Sequence, residues 1–229
     1  MQRACAIVPA LNAAPTLGHV LTTLRDSLAV PVIVVDDGST DETYEVAGAC
    51  AAVALRHQRN KGKGAAILTG MREAARQGFR VAVTVDADGQ HPASSARIVL
   101  DASEDSRALI LGVRDLARDG APVSNRVGNA VSNFFLSRFA GRPLRDTQCG
   151  LRRYPVIETL ELGCRADGYA FEGEVLLRAL GARLPVVEVN VTAVYPASGE
   201  GQSHFHRLRD PTRIVATVVR TVLELGIRG

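Results

Sequence analysis

Residues Val81–His91 read Val-Ala-Val-Thr-Val-Asp-Ala-Asp-Gly-Gln-His, and the fold follows from how that run changes character. The first five residues are almost wholly apolar and rich in β-branched side chains, the composition of a strand covered on both faces. The run then breaks into two acids one residue apart, Asp86 and Asp88, with Gly89 supplying a bend. In open α/β sheets, ligands bind outside the carboxyl ends of the strands. Two carboxylates placed there repel each other unless a cation lies between them. A hard divalent ion, Mg2+ or Mn2+, fits, because it takes oxygen ligands and completes its shell with substrate phosphates. Taken alone, the run also reads as a solvated acidic turn.

Outward from this strand, short apolar runs alternate with helical patterns. Ala4–Val8, Val30–Val35, Ala52–Leu55 and Ala108–Leu111 read as strands. Leu17, Leu21, Leu24 and Leu28 recur at helical spacing, as do Ile67, Leu68 and Met71 within Gly64–Arg76, and Ile98–Leu100 belongs to a further helix. That order predicts an α/β domain with a mostly parallel sheet flanked by helices. The second half is less regular. Val123–Phe139 and Glu172–Ala182 read as helices, Leu184–Val194 as a strand, and Gly199–Arg209 as a polar loop with His204 and His206. Pro211–Arg228 is strongly amphipathic. We expect one domain over residues 1–210 and an amphipathic helix over 211–229, packed on that domain or on a membrane surface.

Bulk properties narrow the classes. The chain has 229 residues, of which 46% are hydrophobic, enough for one buried core. Its 27 Lys plus Arg against 24 Asp plus Glu give a net charge of only +3, too weak a bias for a nucleic-acid partner. There is no Trp, with 4 Tyr and 6 Phe, so stacking platforms for single strands are scarce. Cys5, Cys50, Cys149 and Cys164 form no Cys-x-x-Cys pair and read as small buried residues in a reducing compartment. No signal-peptide pattern or membrane-length apolar run is visible. These features predict a cytoplasmic protein, peripheral at most on the cytoplasmic membrane face.

Three more loops carry chemistry. Val35-Asp36-Asp37-Gly38-Ser39-Thr40-Asp41 puts acids after another buried strand, where they can accept hydrogen bonds from a ribose or a base edge. Asp41 falls later, at a helix-capping position. Val8-Pro9-Ala10-Leu11-Asn12 is a further strand end, and Asn60-Lys61-Gly62-Lys63-Gly64 is a basic glycine-rich approach to a helix. A helix N-terminus with lysines can hold phosphate.

In this order and spacing, the four loops resemble glycosyltransferase family 2, most closely its polyprenyl-phosphate (dolichyl-phosphate) sugar transferase branch. The likeness extends over roughly residues 3–195. It includes Gly112-Val113-Arg114, Asp146-Thr147-Gln148-Cys149-Gly150-Leu151-Arg152 and Gly168-Tyr169-Ala170-Phe171-Glu172-Gly173-Glu174. The resemblance implies a GT-A (Rossmann-like) fold and inversion at the anomeric carbon, with a UDP- or GDP-sugar as donor. It places Pro9, Leu11, Asn12, Asp36, Asp37 and Lys63 around the nucleotide. Asp86, Ala87 and Asp88 face ribose and diphosphate, with Asp86, Asp88 and Gln90 at the metal. Arg114 reaches the donor or acceptor phosphate. Where relatives carry Glu after the Asn, this chain has Ala13, and Tyr195 with Ser203-His204 stands in place of the branch's Arg and Ser-Lys.

A polyprenyl phosphate acceptor is already anionic and needs no base, and Arg114, Arg126 or Arg152, with Ser203 and His204 nearby, would hold it. A hydroxyl acceptor requires a carboxylate base, for which Glu174 is the first candidate and Asp146 the second. Asp88, Arg114, Glu174 and Asp146 are thus the expected catalytic set. Two rivals stand beside this reading. A nucleotidyltransferase would show a Gly-x-Gly-x-x-x-Arg loop after the first strand, which Pro9–Asn12 is not. A catalytically silent nucleotide-sugar-binding protein would share the loops without turnover.

Overall fold

The computed structural model describes residues 3–195 and 209–226. Among these described residues seven strands, β1 (Ala4–Ala10), β2 (Val32–Asp36), β3 (Val53–Arg56), β4 (Val81–Thr84), β5 (Leu109–Arg114), β6 (Arg152–Pro155) and β7 (Val186–Val191), form one sheet. Their order is β3-β2-β1-β4-β6-β5-β7. β1 pairs in parallel with β2 and β4, β2 with β3, and β5 with β7, whereas β6 runs antiparallel to both of its neighbours.

The helices are α1 (Ala14–Leu28), α2 (Thr43–Cys50), α3 (Lys63–Arg76), α4 (Ala93–Asp101), α5 (Val123–Ala140), α6 (Val156–Glu161), α7 (Phe171–Gly181) and α8 (Arg209–Leu225). Strand side chains alternate between faces, and both faces of this sheet are covered. Cys5 and Ile7 of β1 join a core with Ile67 and Met71 of α3, Phe171 and Val175 of α7 and Val218 of α8. Ala6 and Val8 join the opposite core with Leu17 and Leu21 of α1 and Val99 of α4. Two covered faces are the reason β1, β2 and β4 read as unbroken apolar runs rather than alternating ones.

The chain leaves β1 for β2 and β3 on one side, then returns through α3 to β4 on the other. The strand order therefore reverses at β1, and the loops after β1, β2 and β4 meet in the crevice such a reversal opens. The expected α/β architecture is present, and the tail helix packs on α7. Val218 and Val222 are buried, and Arg178 of α7 pairs with Glu224 at 2.5 Å. Val215, Val219 and Leu223 of the same helix face outward.

Two elements were not anticipated, β6 and α6. The strand β6 reads Arg-Arg-Tyr-Pro, yet Arg152 and Arg153 are almost fully buried. Their guanidinium groups survive burial by donating to carbonyls. Arg152 donates to Cys149, Glu172 and Thr147 oxygens at 2.9, 2.7 and 2.8 Å. Arg153 donates to the oxygens of Leu100 in the last turn of α4 and of Ser103 and Asp105 after it.

Candidate active site

The first two loops are laced to each other before either reaches a ligand. Asn12 sits at φ +48°, its backbone N–H donates to Ser39 Oγ at 2.8 Å, and its Oδ1 accepts from the Thr40 N–H at 2.9 Å. Ala13 and Ala14 N–H groups donate to Thr43 Oγ1 and Asp41 Oδ2. Asp41 also accepts from the Thr43 N–H, but the cap position of α2 falls one residue later than expected, at Glu42. Pro9 is buried at the end of β1 and Leu11 is half-buried at the turn. Asp36 is fully buried, with Oδ1 accepting from Ser39 N–H. Its Oδ2 lies 3.1 Å from Arg56 Nε, an ion-pair contact whose angle does not make a hydrogen bond.

Asp37, expected at the nucleoside, is bonded to the chain itself. Its Oδ1 accepts from His57 Nδ1 at 2.6 Å and from the Lys61 N–H at 2.9 Å, and its Oδ2 accepts from the Gly62 N–H at 2.7 Å. His57 Nε2 is in turn 2.9 Å from Thr69 Oγ1 on α3. Asp37 is thus an internal tie that shapes the Asn60–Gly64 loop. Gly62, at φ +99°, presses against the Asp167 carbonyl, where a side chain would not fit.

That loop delivers Lys63 at the start of α3. Its Nζ lies 2.7 Å from Asp86 Oδ1 and 3.0 Å from Glu172 Oε1. Burial opposes the ammonium charge, but the two carboxylates outweigh it and hold Lys63 above the usual lysine range. Burial likewise opposes charge on Asp86, and Lys63 overrides it, keeping Asp86 below the usual carboxylate range. Asp88 behaves oppositely. Crowding by protein and the Asp86 charge raise its carboxyl to about 6, although its outer edge is open to solvent.

Asp88 Oδ1 accepts from the Gln90 N–H at 3.0 Å, Thr16 Oγ1 donates to the Ala87 carbonyl, and Val194 N–H donates to the Gln90 carbonyl. Buried His91, brought down to about 4 by its burial, is held neutral beneath this loop. Among the described residues, no three His, Cys, Asp or Glu side chains cluster to cage a metal. Asp86, Asp88 and Gln90 offer oxygen donors only, the set of a hard divalent ion that takes its remaining ligands from phosphate and water.

At the end of β5, Arg114 forks onto Asp146, with Nε to Oδ2 at 2.7 Å and Nη2 to Oδ1 at 3.0 Å, while Nη1 donates to Tyr195 Oη at 3.1 Å. Beside it lies a cavity of about 480 Å3 lined by Arg114, Arg118, Arg126, Asn129, Asn133 and Arg145, among others. Arg126 is exposed at its rim, and Asn129 is buried with its Oδ1 unpartnered.

Three other expectations are corrected. Arg152 lies in β6 with its guanidinium spent on three carbonyls, so it is not an acceptor ligand. Glu174 is fully buried and accepts from the Arg165 and Ala166 N–H groups and from Arg178 Nε, so it cannot take a substrate proton. Asp146 is fully buried beneath Arg114, which removes it as a base and makes it the group that aims that arginine. Ser203 and His204 lie outside the described residues. Glu172, two positions before Glu174, is the carboxylate that reaches the site. The signal was in the sequence: Arg178 stands four residues after Glu174, the spacing of an ion pair along a helix, and Glu172 faces the other way.

The fold is that of the GT-A glycosyltransferases. Glucosyl-3-phosphoglycerate synthase from Mycobacterium tuberculosis, crystallised with Mn2+, UDP-glucose and phosphoglyceric acid, superposes with a TM-score of 0.74 over 100% of this chain and 81% of that one. At 20% identity that likeness concerns the fold alone.

The chain belongs to glycosyltransferase family 2, whose description "Glycosyl transferase family 2" matches residues 5–154, and it is a glycosyltransferase. The UDP-N-acetylglucosamine–dolichyl-phosphate N-acetylglucosaminyltransferase of Methanococcus voltae is 30% identical, over 82% of this chain and 84% of that protein. The polyprenol monophosphomannose synthase of Mycolicibacterium smegmatis is 30% identical, over 100% of this chain and 88% of that one. Both relatives fall in the polyprenyl-phosphate branch.

Proposed function

We propose that this protein transfers a sugar from a UDP- or GDP-sugar to a polyprenyl phosphate, with inversion at the anomeric carbon and with Mg2+ or Mn2+ as cofactor. The observation that carries the acceptor assignment is the fate of the carboxylates. Both candidate bases, Glu174 and Asp146, are sealed and bonded within the protein. An acceptor that is already anionic needs neither. The cavity beside Arg114 offers what such an acceptor requires, with Arg126 at its rim and Arg145 in its wall.

In this reading the loops after β1 and β2 hold the nucleoside, Asp86 faces the ribose, and Asp88 with Gln90 holds the metal. When bound, the ion neutralises charge developing on the departing diphosphate. Arg114, fixed by Asp146 and Tyr195, directs its remaining N–H groups to the phosphate that attacks from the opposite side. Residues 1–210 form the transferase domain and the tail helix belongs with it. Peripheral contact with the membrane that carries the acceptor fits the outward apolar residues of α5 and α8. Among the described residues, no helix is long and apolar enough to cross a membrane.

The test is a nucleotide-sugar panel with Mn2+, read by nucleoside diphosphate release with and without polyprenyl phosphate. Release that depends on the lipid phosphate supports the reading. Equal release onto a hydroxyl acceptor would overturn it, and binding without turnover would favour the silent-binder alternative.

A further inference from the structure

Glu172 sits in the first turn of α7, away from the four loops that announce the site, yet it is 5% exposed and touches Lys63. Only one of its oxygens is used: Oε1 meets Lys63 Nζ at 3.0 Å, while Oε2 is buried with no partner. A buried carboxylate oxygen left unpaired is costly and marks a place where a donor is expected. Lys63 is therefore held between two carboxylates, one on the acid loop and one on α7.

The cage is tight. A Cβ on Gly150 would lie 2.6 Å from both Asp86 Oδ2 and Lys63 Nζ, so that position admits no side chain without moving the pair. Lys63 neutralises only one of the two charges around it. A lysine stem has four rotatable bonds and no fixed fork. Anchored on Asp86 alone, its ammonium would lose its place whenever Asp86 engaged a ligand.

Resting on the donor reading above, we propose that Glu172 is a positioning residue for the donor diphosphate, acting through Lys63. Lys63 bridges Asp86 and Glu172. When the nucleoside diphosphate arrives, the ammonium gives up Asp86 for a phosphate oxygen and stays on Glu172, whose free Oε2 allows the shift without breaking another bond. Asp86 is released in the same movement.

The experiment is calorimetric titration with uridine and guanosine diphosphate, each with Mn2+, of the wild type, Glu172→Gln, Lys63→Ala and the double variant. Glu172→Gln should weaken diphosphate binding about ten-fold, and should add nothing once Lys63 is Ala, because contacting residues couple in a double-mutant cycle. Binding of the nucleoside alone, followed by NMR titration, should not change, which a merely structural role would not predict. Glu172→Asp keeps the charge with a shorter reach and carries the same comparison should Glu172→Gln lose its thermal transition. An unchanged diphosphate affinity in the Glu172 variants, or the same ten-fold loss on the Lys63→Ala background, overturns the proposal. Failure of the wild type to bind either diphosphate would instead overturn the donor reading.

Discussion

Asp37 Oδ2 accepts a 2.7 Å hydrogen bond from the backbone N–H of Gly62, twenty-five residues downstream. With the bonds from His57 and Lys61, this makes one buried carboxylate the anchor of the loop that delivers Lys63. Asp37→Ala would strand these donors, at about 1–3 kcal/mol for each one left buried. We expect the melting temperature of the ligand-free protein to fall by several degrees and nucleoside diphosphate affinity to fall with it. A melt indistinguishable from the wild type, together with lost affinity, would return Asp37 to direct contact with the nucleoside.

Gly150→Ala separates site from fold. The new Cβ would meet the far ends of two side chains, Asp86 and Lys63, rather than backbone. Such ends can swing aside, so circular dichroism and thermal unfolding should stay near wild type. Displacing them by about an ångström should lower donor turnover on the order of 100-fold. A variant with full activity would show that the Asp86–Lys63 contact has no part in the reaction.

The same residues mark how far the sequence could be read. The apolar runs of β1, β2, β4 and β5 were legible because both sheet faces are buried, which leaves a continuous hydrophobic signal. The strand β6 was not legible, because Arg152 and Arg153 look like surface residues until distant carbonyls meet them. The acid loops were legible as loops. Which acid serves a ligand and which ties down the chain was not: Asp37 and Asp146 are spent on partners 20 or more residues away. No local pattern encodes that pairing.

Asp88 gives the protein a pH signature in chelator. Its carboxyl is raised from 3.8 to about 6 by the protein crowded around its inner side and by Asp86, so between these values the folded protein holds more proton than the unfolded chain. Stability contributed by this group therefore declines as pH rises through that window, and the cost is complete above pH 6. Asp88→Asn, which carries no charge, should melt higher than the wild type at pH 7.5, on the order of 2 °C given the site's exposure to solvent. The gain should vanish near pH 3.8. The same variant should lose Mn2+-dependent turnover. A melt that is lower at pH 7.5 would mean that the Asp88 carboxylate stabilises the empty protein.

The helix α5 is inverted relative to an ordinary amphipathic helix. Its buried residues are Asn129 and Leu136, whereas Val123, Val127, Val131, Phe134 and Phe135 are all exposed, Phe134 by 70%. Val215, Val219 and Leu223 are exposed on α8, and both helices pack against α7. Arg126 and Arg138 on α5 are exposed as well. Water-facing apolar side chains flanked by arginines match the requirements of an interfacial helix, with rings in the headgroup boundary and guanidinium groups on anionic lipid. Arg126 also lines the rim of the Arg114 cavity, so such docking would set that cavity against the phosphate of a membrane-borne acceptor. We expect the protein to sediment with vesicles containing phosphatidylglycerol at low salt and to be released by high salt. A fully buried Phe contributes about 1.5–3 kcal/mol, so changing Phe134 and Phe135 together to Ser should reduce partitioning at least about ten-fold. Both side chains are exposed, and the melting temperature should not fall. Full recovery of the wild type in the supernatant at low salt, or equal sedimentation of the double variant, would show that this face meets something other than lipid.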